Sequence, residues 1–596
     1  MFPRNFAAAV AAVAIAAVSP SAAASCRGDP TGVTLNGTYT GNYLAEFKQD
    51  VFLGIPYAKS PRLRNPEPLT DSWTGRRSAQ TYGALCPTTS PEEDLASVNA
   101  TFSDDCLNLN IIRPAGIKAG DKIPVVVWIH GGSFFAGFGA DHNTNTSYVI
   151  KASVENKLPI ITVTINYRLG FLGFPGGREA EAAGILNLGL KDQRKALEWV
   201  QENIAGFGGD PGKVTLWGQS AGGVSIGHQI LAYGGQGAEK LFRGAILVSG
   251  SAGLGTNGHL ATAPQCLQGY QDILAATGCS GADDTLDCLR GVDAYELYQA
   301  GLGGILPMWW PMIDGDFIQG PSSWQIKAGH FSQDINIIVG SNSDEAIGAV
   351  QVTFPGVNSE PEVAFLLGIV FPAARPSTIQ EVLAAYPDGA PAPPYSLPMD
   401  GDVFCEALRD AGFTTCGSQY RRLAGIISDA QVISKQRALS QSYAKFGGKA
   451  YSYRFDTNPT GIPIDPKILV PGFATHSAEY TYFFNFPPEY DMFDMNPPVV
   501  NISSHLQLSR GIVDKFVSFI ATGDPNTFEV PFIPEWPAYS LDAPSNMVLN
   551  ATESDNKINV RVEADTYREK GLAVWSKYDI ELEFGSSWRP DGQQKL

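Results

Sequence analysis

The sequence predicts an α/β fold in which helices flank a large, mostly parallel central sheet, and three observations carry that prediction. Short apolar, β-branched runs recur through the middle of the chain, as strands buried on both faces of a parallel sheet require. Stretches with helical periodicity separate these runs, so strand, crossover helix and strand succeed one another in a doubly wound order. No internal repeat and no long linker divides the 596 residues, so one large sheet is expected in place of several small domains.

The expected strands are 123–129 (IPVVVWI), 160–165 (IITVTI), 214–217 (VTLW), 245–248 (AILV) and 335–339 (INIIV). Between the second and third of these, Leu190, Leu197, Val200 and Ile204 fall on one helical stripe that ends near Gly206. The sheet resumes with AYSYRF at Ala450. The low-complexity patch PDGAPAPPYSLP at 387–398 therefore reads as a loop inside a cap over the sheet, around 353–435, and not as a domain boundary. A single domain over residues 25–596 is expected.

Composition narrows the partners. The chain carries 60 acidic and 42 basic residues, a formal charge of −18, which repels nucleic acid and anionic lipid headgroups. Only 17% of residues are charged and 44% are hydrophobic, which excludes a disordered chain, while 63 Gly and 41 Pro imply long ordered loops.

The first 24 residues read as an address. Arg4, an apolar run over 6–18 and the small residues Ala22-Ala23-Ala24 form a secretory signal peptide, with cleavage expected after Ala24. The alternative, an uncleaved anchor, is disfavoured because the run is short for a bilayer, and no later stretch is long enough to span one. Sequons at Asn36, Asn99, Asn145, Asn501 and Asn550 agree with export to the extracellular space. So do eight Cys. The close pairs Cys86 with Cys106, Cys279 with Cys288, and Cys405 with Cys416 are the expected disulfides, and Cys26 and Cys266 are left over. No Cys pair has zinc spacing with a nearby His, so no metal is expected.

The chemistry begins at Gly218-Gln219-Ser220-Ala221-Gly222, which directly follows the strand VTLW and precedes the helix-compatible GGVSIGHQIL. That context defines a nucleophile elbow, where the glycines relieve crowding at a sharp turn and expose the Ser220 hydroxyl above the sheet. Serine is a poor nucleophile at neutral pH and needs a base oriented by an acid, here in the chain order Ser, acid, His. Of the His residues well beyond the next strand end, His476 lies in the loop GFATHSAEY, whereas His505 sits in a helix-like stretch as an ordinary surface or capping residue. The acid is expected just after 335–339, where GSNSDEA offers Asp344 and Glu345. An oxyanion hole is expected from backbone N–H groups of Gly132, Ser133 and Ala221, because His130-Gly131-Gly132-Ser133 follows an expected strand, as an HGGG-type loop does.

Long ordered blocks then carry a resemblance. DDCLNLNIIRP at Asp104, VVVWIHGGSFFAG at Val125, NYRLGFLGF at Asn166, the block from Asn187 through GQSAGG and SNSDEA at Ser341 resemble the type B carboxylesterase/lipase family, over nearly the whole chain after the leader. The resemblance implies an α/β-hydrolase fold and ester hydrolysis through an acyl-enzyme. It implies Glu345 as the acid beside Ser220 and His476, Ser249 of VSGSA as a supporting serine, and disulfides at the first two Cys pairs. The mechanism needs no metal or organic cofactor. Departures matter too. Gln219 stands where cholinesterases carry a glutamate, the Cys86–Cys106 loop lacks a Trp to hold a quaternary ammonium, Ser133 replaces the third glycine, and GFATH has one extra residue between Gly and His.

Within the first disulfide loop, Ser90-Pro91-Glu92-Glu93 caps a short helix with Leu95, Val98 and Phe102 on a narrow stripe, bordered by the Asn99 sequon. A glycan there hinders docking on lipid, so soluble or modest-chain esters are the expected substrates, with long-chain lipid or sterol esters as the alternative. Trp309 and Trp310 are expected either in the acyl pocket or in the core. The remote alternative is a non-catalytic binding protein on the same fold.

Overall fold

The computed structural model describes residues 28–89, 95, 98–253, 261–303, 309–347, 350, 356–388, 417–458, 474–490, 501–552 and 555–584. The leader, the capping residues 90–93, Cys26 and most of 387–398 lie outside the described residues.

Eleven strands form one sheet. In chain order they are β1 (Asn42–Leu44), β2 (Gln49–Pro56), β3 (Asn108–Pro114), β4 (Ile123–Ile129), β5 (Ile161–Ile165), β6 (Gly209–Gln219), β7 (Gly244–Val248), β8 (Asn336–Asn342), β9 (Ala450–Phe455), β10 (Ser545–Leu549) and β11 (Arg561–Ala564). Across the sheet they lie in the order β11-β10-β9-β8-β7-β6-β4-β5-β3-β2-β1. The centre, from β10 through β5, is parallel, and both flanks are antiparallel.

Alternation along β4 shows how the sequence divides itself between two faces, as side chains pointing alternately up and down a strand must. Val125, Val127 and Ile129 join one buried cluster, which also takes the stripe of helix α1 (Leu188–Asn203). Val126 and Trp128 join a second cluster on the opposite face. In α1 the predicted Leu190, Leu197 and Val200 are fully buried, and Ile204 opens a tight 3₁₀ turn that stops at Gly208 in the left-handed region, φ 92°. Helix α2 (Ala221–Gly235) starts at the elbow and runs beneath the same face.

The stretch expected as a cap, around 353–435, contains α3 (Glu360–Val370), α4 (Pro376–Ala385), α5 (Tyr420–Ser428) and a π-helical turn (Asp429–Ile433), and α6 (Ser434–Phe446) follows it. The first three share a separate apolar cluster with Ala346, Ile347 and Trp575, the last from the C-terminal helix α8 (Glu569–Phe584). The long helix α7 (Ser503–Thr522) covers the second face of the sheet. This placement corrects the expectation for His505. It is fully buried in α7, with the Tyr482 hydroxyl 2.6 Å from Nδ1, because α7 is a core helix and not a surface one.

Of the three disulfides expected from the sequence, the structure shows two. Cys86 is joined to Cys106 and Cys279 to Cys288, and Cys266 is buried as a free thiol. The third expected pair, Cys405 and Cys416, lies outside the described residues.

Candidate active site

Ser220 sits at the turn from β6 into α2 with φ 55° and ψ −126°, a backbone conformation that L-residues adopt only under constraint. The constraint is visible on both sides. Its N–H donates to Val248 O over 2.9 Å, and its carbonyl accepts from Val224 N over 2.9 Å. Gly222 is obligatory for a steric reason: a Cβ there would lie 2.0 Å from Ile129 O on β4.

The loops after β8 and β9 bring the other two side chains to this serine. Ser220 Oγ–H donates to His476 Nε2 over 2.8 Å, and His476 Nδ1–H donates to Glu345 Oε2 over 2.7 Å. The second Glu345 oxygen accepts from the Asn342 N–H over 2.7 Å. Of the two acids left open by spacing, Glu345 faces the imidazole, while Asp344 turns away to Arg568. His476 keeps 35% of its side-chain surface open to a substrate, whereas the Glu345 side chain is only 1% exposed. Burial pulls the His476 pKa down, but the hydrogen bond and charge of Glu345 together with the charge of Glu479 more than offset it, so the imidazole titrates above its ordinary value.

A second carboxylate, not anticipated from the sequence, lies behind the triad. Glu479 is fully buried and accepts from Ser249 Oγ over 3.0 Å, from Gln219 Nε2 over 3.3 Å and from Asn342 Nδ2. Gln219 also donates to Ser477 Oγ and lies 3.4 Å from His476 Nε2. Burial, with the charge of Glu345 adding to it, pushes Glu479 up to about 7. The only signal available in the sequence was its place three residues after His476, one residue type among many acids. Ser249 and Gln219 both donate to this carboxylate, which a glutamate in place of Gln219 would repel.

The loop expected to supply oxyanion donors follows β4. Gly132 has φ 94°, and Ser133 and Phe134 also lie in the left-handed region, at 55° and 64°. Gly132 O accepts from both Phe135 N and Ala136 N, which closes the turn and leaves Gly132 and Ser133 exposed at the site. His130 does not enter the chemistry. It stacks on Tyr167 with centroids 4.3 Å apart, its Nδ1–H donates to Gly131 O, and burial lowers its pKa to about 4, so it braces the loop as a neutral ring.

Trp309 and Trp310 part company. Trp309 is buried against Phe171 and its Nε1–H donates to Gly301 O over 2.6 Å, so it belongs to the core. Trp310 faces Phe134, in the loop after β4, at 6.0 Å between centroids. In the first disulfide loop, Leu95 and Val98 are helical and half-buried, Asn99 is exposed, and Phe102 stacks on Tyr295.

A mostly parallel sheet, a strained serine between strand and helix, and a histidine and a carboxylate delivered by later loops define a serine hydrolase of the α/β-hydrolase fold. The model of the carboxylesterase family matches residues 29–575, and the chain belongs to that family. It is 32% identical over 585 residues to Lipase 2 of Geotrichum candidum, covering 91% of this chain and 94% of that one. It is 32% identical over 496 residues to a secreted triacylglycerol lipase of Gibberella zeae, covering 76% and 80%. The crystal structure of Aspergillus niger EstA superimposes with a TM-score of 0.76 at 25% identity, covering 93% of this chain and 99% of that one. The protein is a serine carboxylic-ester hydrolase.

Proposed function

We propose that Ser220 is the nucleophile, His476 the general base and acid, Glu345 the group that orients the imidazole, and the N–H groups of Gly132, Ser133 and Ala221 the oxyanion donors. The observation that carries this is the unbroken hydrogen-bond chain from Ser220 through His476 to Glu345. Ser220 Oγ attacks the ester carbonyl carbon as His476 Nε2 takes its proton, and the carbonyl oxygen becomes an oxyanion held by the three donors. Collapse expels the alcohol, which leaves with the proton returned from His476. Water then adds to the acyl-enzyme by the same exchange, releasing the acid and restoring Ser220.

The substrates we assign are soluble or modest-chain carboxylic esters, delivered outside the cell by a chain whose leader is removed after Ala24. The strong acidic excess and the exposed Asn99 sequon on the disulfide loop support that choice. Among the described residues no helix is long and apolar enough to cross a membrane. The acidic charge also speaks against nucleic acid as a partner. The second reading, long-chain lipid esters, is favoured by the relatives whose names are lipases.

One assay tests both the mechanism and the substrate range. On p-nitrophenyl esters from acetate to palmitate, the wild type hydrolyses the short esters best, and Ser220→Ala loses on the order of 10⁴-fold or more in kcat. Equal rates for the two proteins defeat the mechanism, and a maximum at palmitate selects the lipase reading.

A further inference from the structure

The loop that carries Glu345 is gripped from outside the triad by two arginines that the hydrolytic mechanism does not use. Arg454, on β9, donates from Nη1 to Ser343 Oγ over 2.8 Å, while Ser343 Oγ donates to Asp456 over 2.5 Å. Arg454 also pairs with Asp456 at 2.7 Å and with Glu563 of β11 at 3.0 Å. Arg568, immediately before α8, is fully buried and reaches Asp344 from Nη2 at 3.3 Å and Asp429 from Nη1 at 3.0 Å. Asp429 lies in the π-helical turn after α5 and also accepts from the Tyr386 hydroxyl over 2.7 Å, which in turn accepts from Trp575 Nε1 over 2.9 Å. The ring of Tyr567 sits between the two guanidinium groups, 4.3 Å from Arg454 and 5.0 Å from Arg568.

Backbone bonds complete the grip. Ser343 N–H donates to Phe455 O, Ala346 N–H donates to Ser428 Oγ, and Asp344 N–H donates over 3.0 Å to Ala474 O, two residues before His476. The residue between the clamped Asp344 and Ala346 is Glu345 itself.

We propose that Arg568 with Asp344, and Arg454 with Ser343, form a clamp that sets the Glu345 carboxylate against His476, which makes the start of the C-terminal helix a positioning element for the triad. The proposal rests on the triad assignment above. A single bidentate cation between two buried carboxylates has one low-energy geometry, and fixing it costs no entropy at the moment of reaction. Because Asp344 shares its peptide neighbours with Glu345, a small shift at Asp344 displaces the Glu345–His476 hydrogen bond, and displacements of that order are expensive for catalysis. Charge favours the pairing as well: burial raises the Asp429 pKa, and the Arg568 charge acts against that shift.

The test compares kcat and KM on a soluble short-chain p-nitrophenyl ester, with active sites counted by an irreversible phosphonate so that only folded enzyme is scored. Asp344→Asn lowers kcat about tenfold with KM within about twofold of wild type, and Ser343→Ala moves kcat in the same direction. Asp50→Asn is the control, since it breaks the buried Arg113–Asp50 pair on β3 and β2, the flank of the sheet away from the clamp. It lowers the thermal midpoint comparably and leaves kcat unchanged. If Asp344→Asn fails to fold, Ser343→Ala decides alone. A kcat within about twofold of wild type in the clamp variants, or an equal loss in Asp50→Asn, overturns the clamp. Glu345→Gln separates the layers: a large kcat loss there with none in the clamp variants removes the clamp only, and no loss in Glu345→Gln removes the triad assignment beneath it.

Discussion

At the scale of single residues, what reads directly from sequence is steric necessity. Ser220 is legible because Gly218 and Gly222 flank it after a strand, and the 2.0 Å approach of a Cβ at position 222 to Ile129 O is the physical content of that pattern. Glu345 needed the family resemblance, since its neighbour Asp344 has the same chemistry and differs only in the direction it faces. Glu479 was not legible, because its character comes from burial among Ser249, Gln219 and Asn342, residues scattered over three separate segments. It has a measurable consequence. The charges of Glu345 and Glu479 both hold His476 above its ordinary pKa, so kcat/KM falls on the acid side as His476 takes up a proton above the usual histidine range. Replacing Glu479 by Gln removes one of those charges at nearly unchanged side-chain volume, although one of its two acceptor oxygens becomes a donor. The acid limb of the kcat/KM profile then moves to lower pH, and a limb that stays in place or moves upward contradicts this electrostatic assignment.

At the scale of elements, the apolar, β-branched runs of β4, β5 and β7 were found within a residue of their ends, because strands buried on both faces leave an unambiguous pattern. β6 is longer than its apolar kernel, since Gly209 already pairs with Ile123 of β4, and the ladder shifts register before Val214 pairs with Val125. The antiparallel flank β1–β3 escaped prediction because its segments, such as QDVFLGIP and NLNIIRP, mix polar and apolar residues even at buried positions. The disulfide loop belongs to this scale too. Cys86 and Cys106 are 20 residues apart, and closing that loop contributes about 3 kcal/mol through the unfolded chain. Cys86→Ser is expected to lower the unfolding free energy by that amount, read as a lower urea midpoint, and an unchanged midpoint shows that the bond constrains little.

At the scale of the whole molecule, one sheet gathers a serine, an acid and a histidine separated by 131 and 256 residues of chain, which is why length alone gave no domain count. The sequons divide at this scale as well. Asn36 Nδ2 donates to both Leu69 O and Asp71 O, Asn145 Nδ2 to the Tyr490 hydroxyl, and Asn550 Nδ2 to Asp456 O, whereas Asn99 and Asn501 are exposed. An N-glycan replaces an amide proton, so the folded protein secreted by a eukaryotic host carries glycans at Asn99 and Asn501 and none at Asn36. Glycosidase release in ¹⁸O water followed by peptide mass spectrometry reads this out, and label at Asn36 refutes it. The central claim is narrower: the acyl group passes through one hydroxyl. The most direct measurement is peptide mass mapping of the enzyme after reaction with a p-nitrophenyl phosphonate ester. The account predicts one adduct, on Ser220, with p-nitrophenol released in equal amount and all ester hydrolysis lost. An adduct on another residue, or full activity with Ser220 modified, would contradict it.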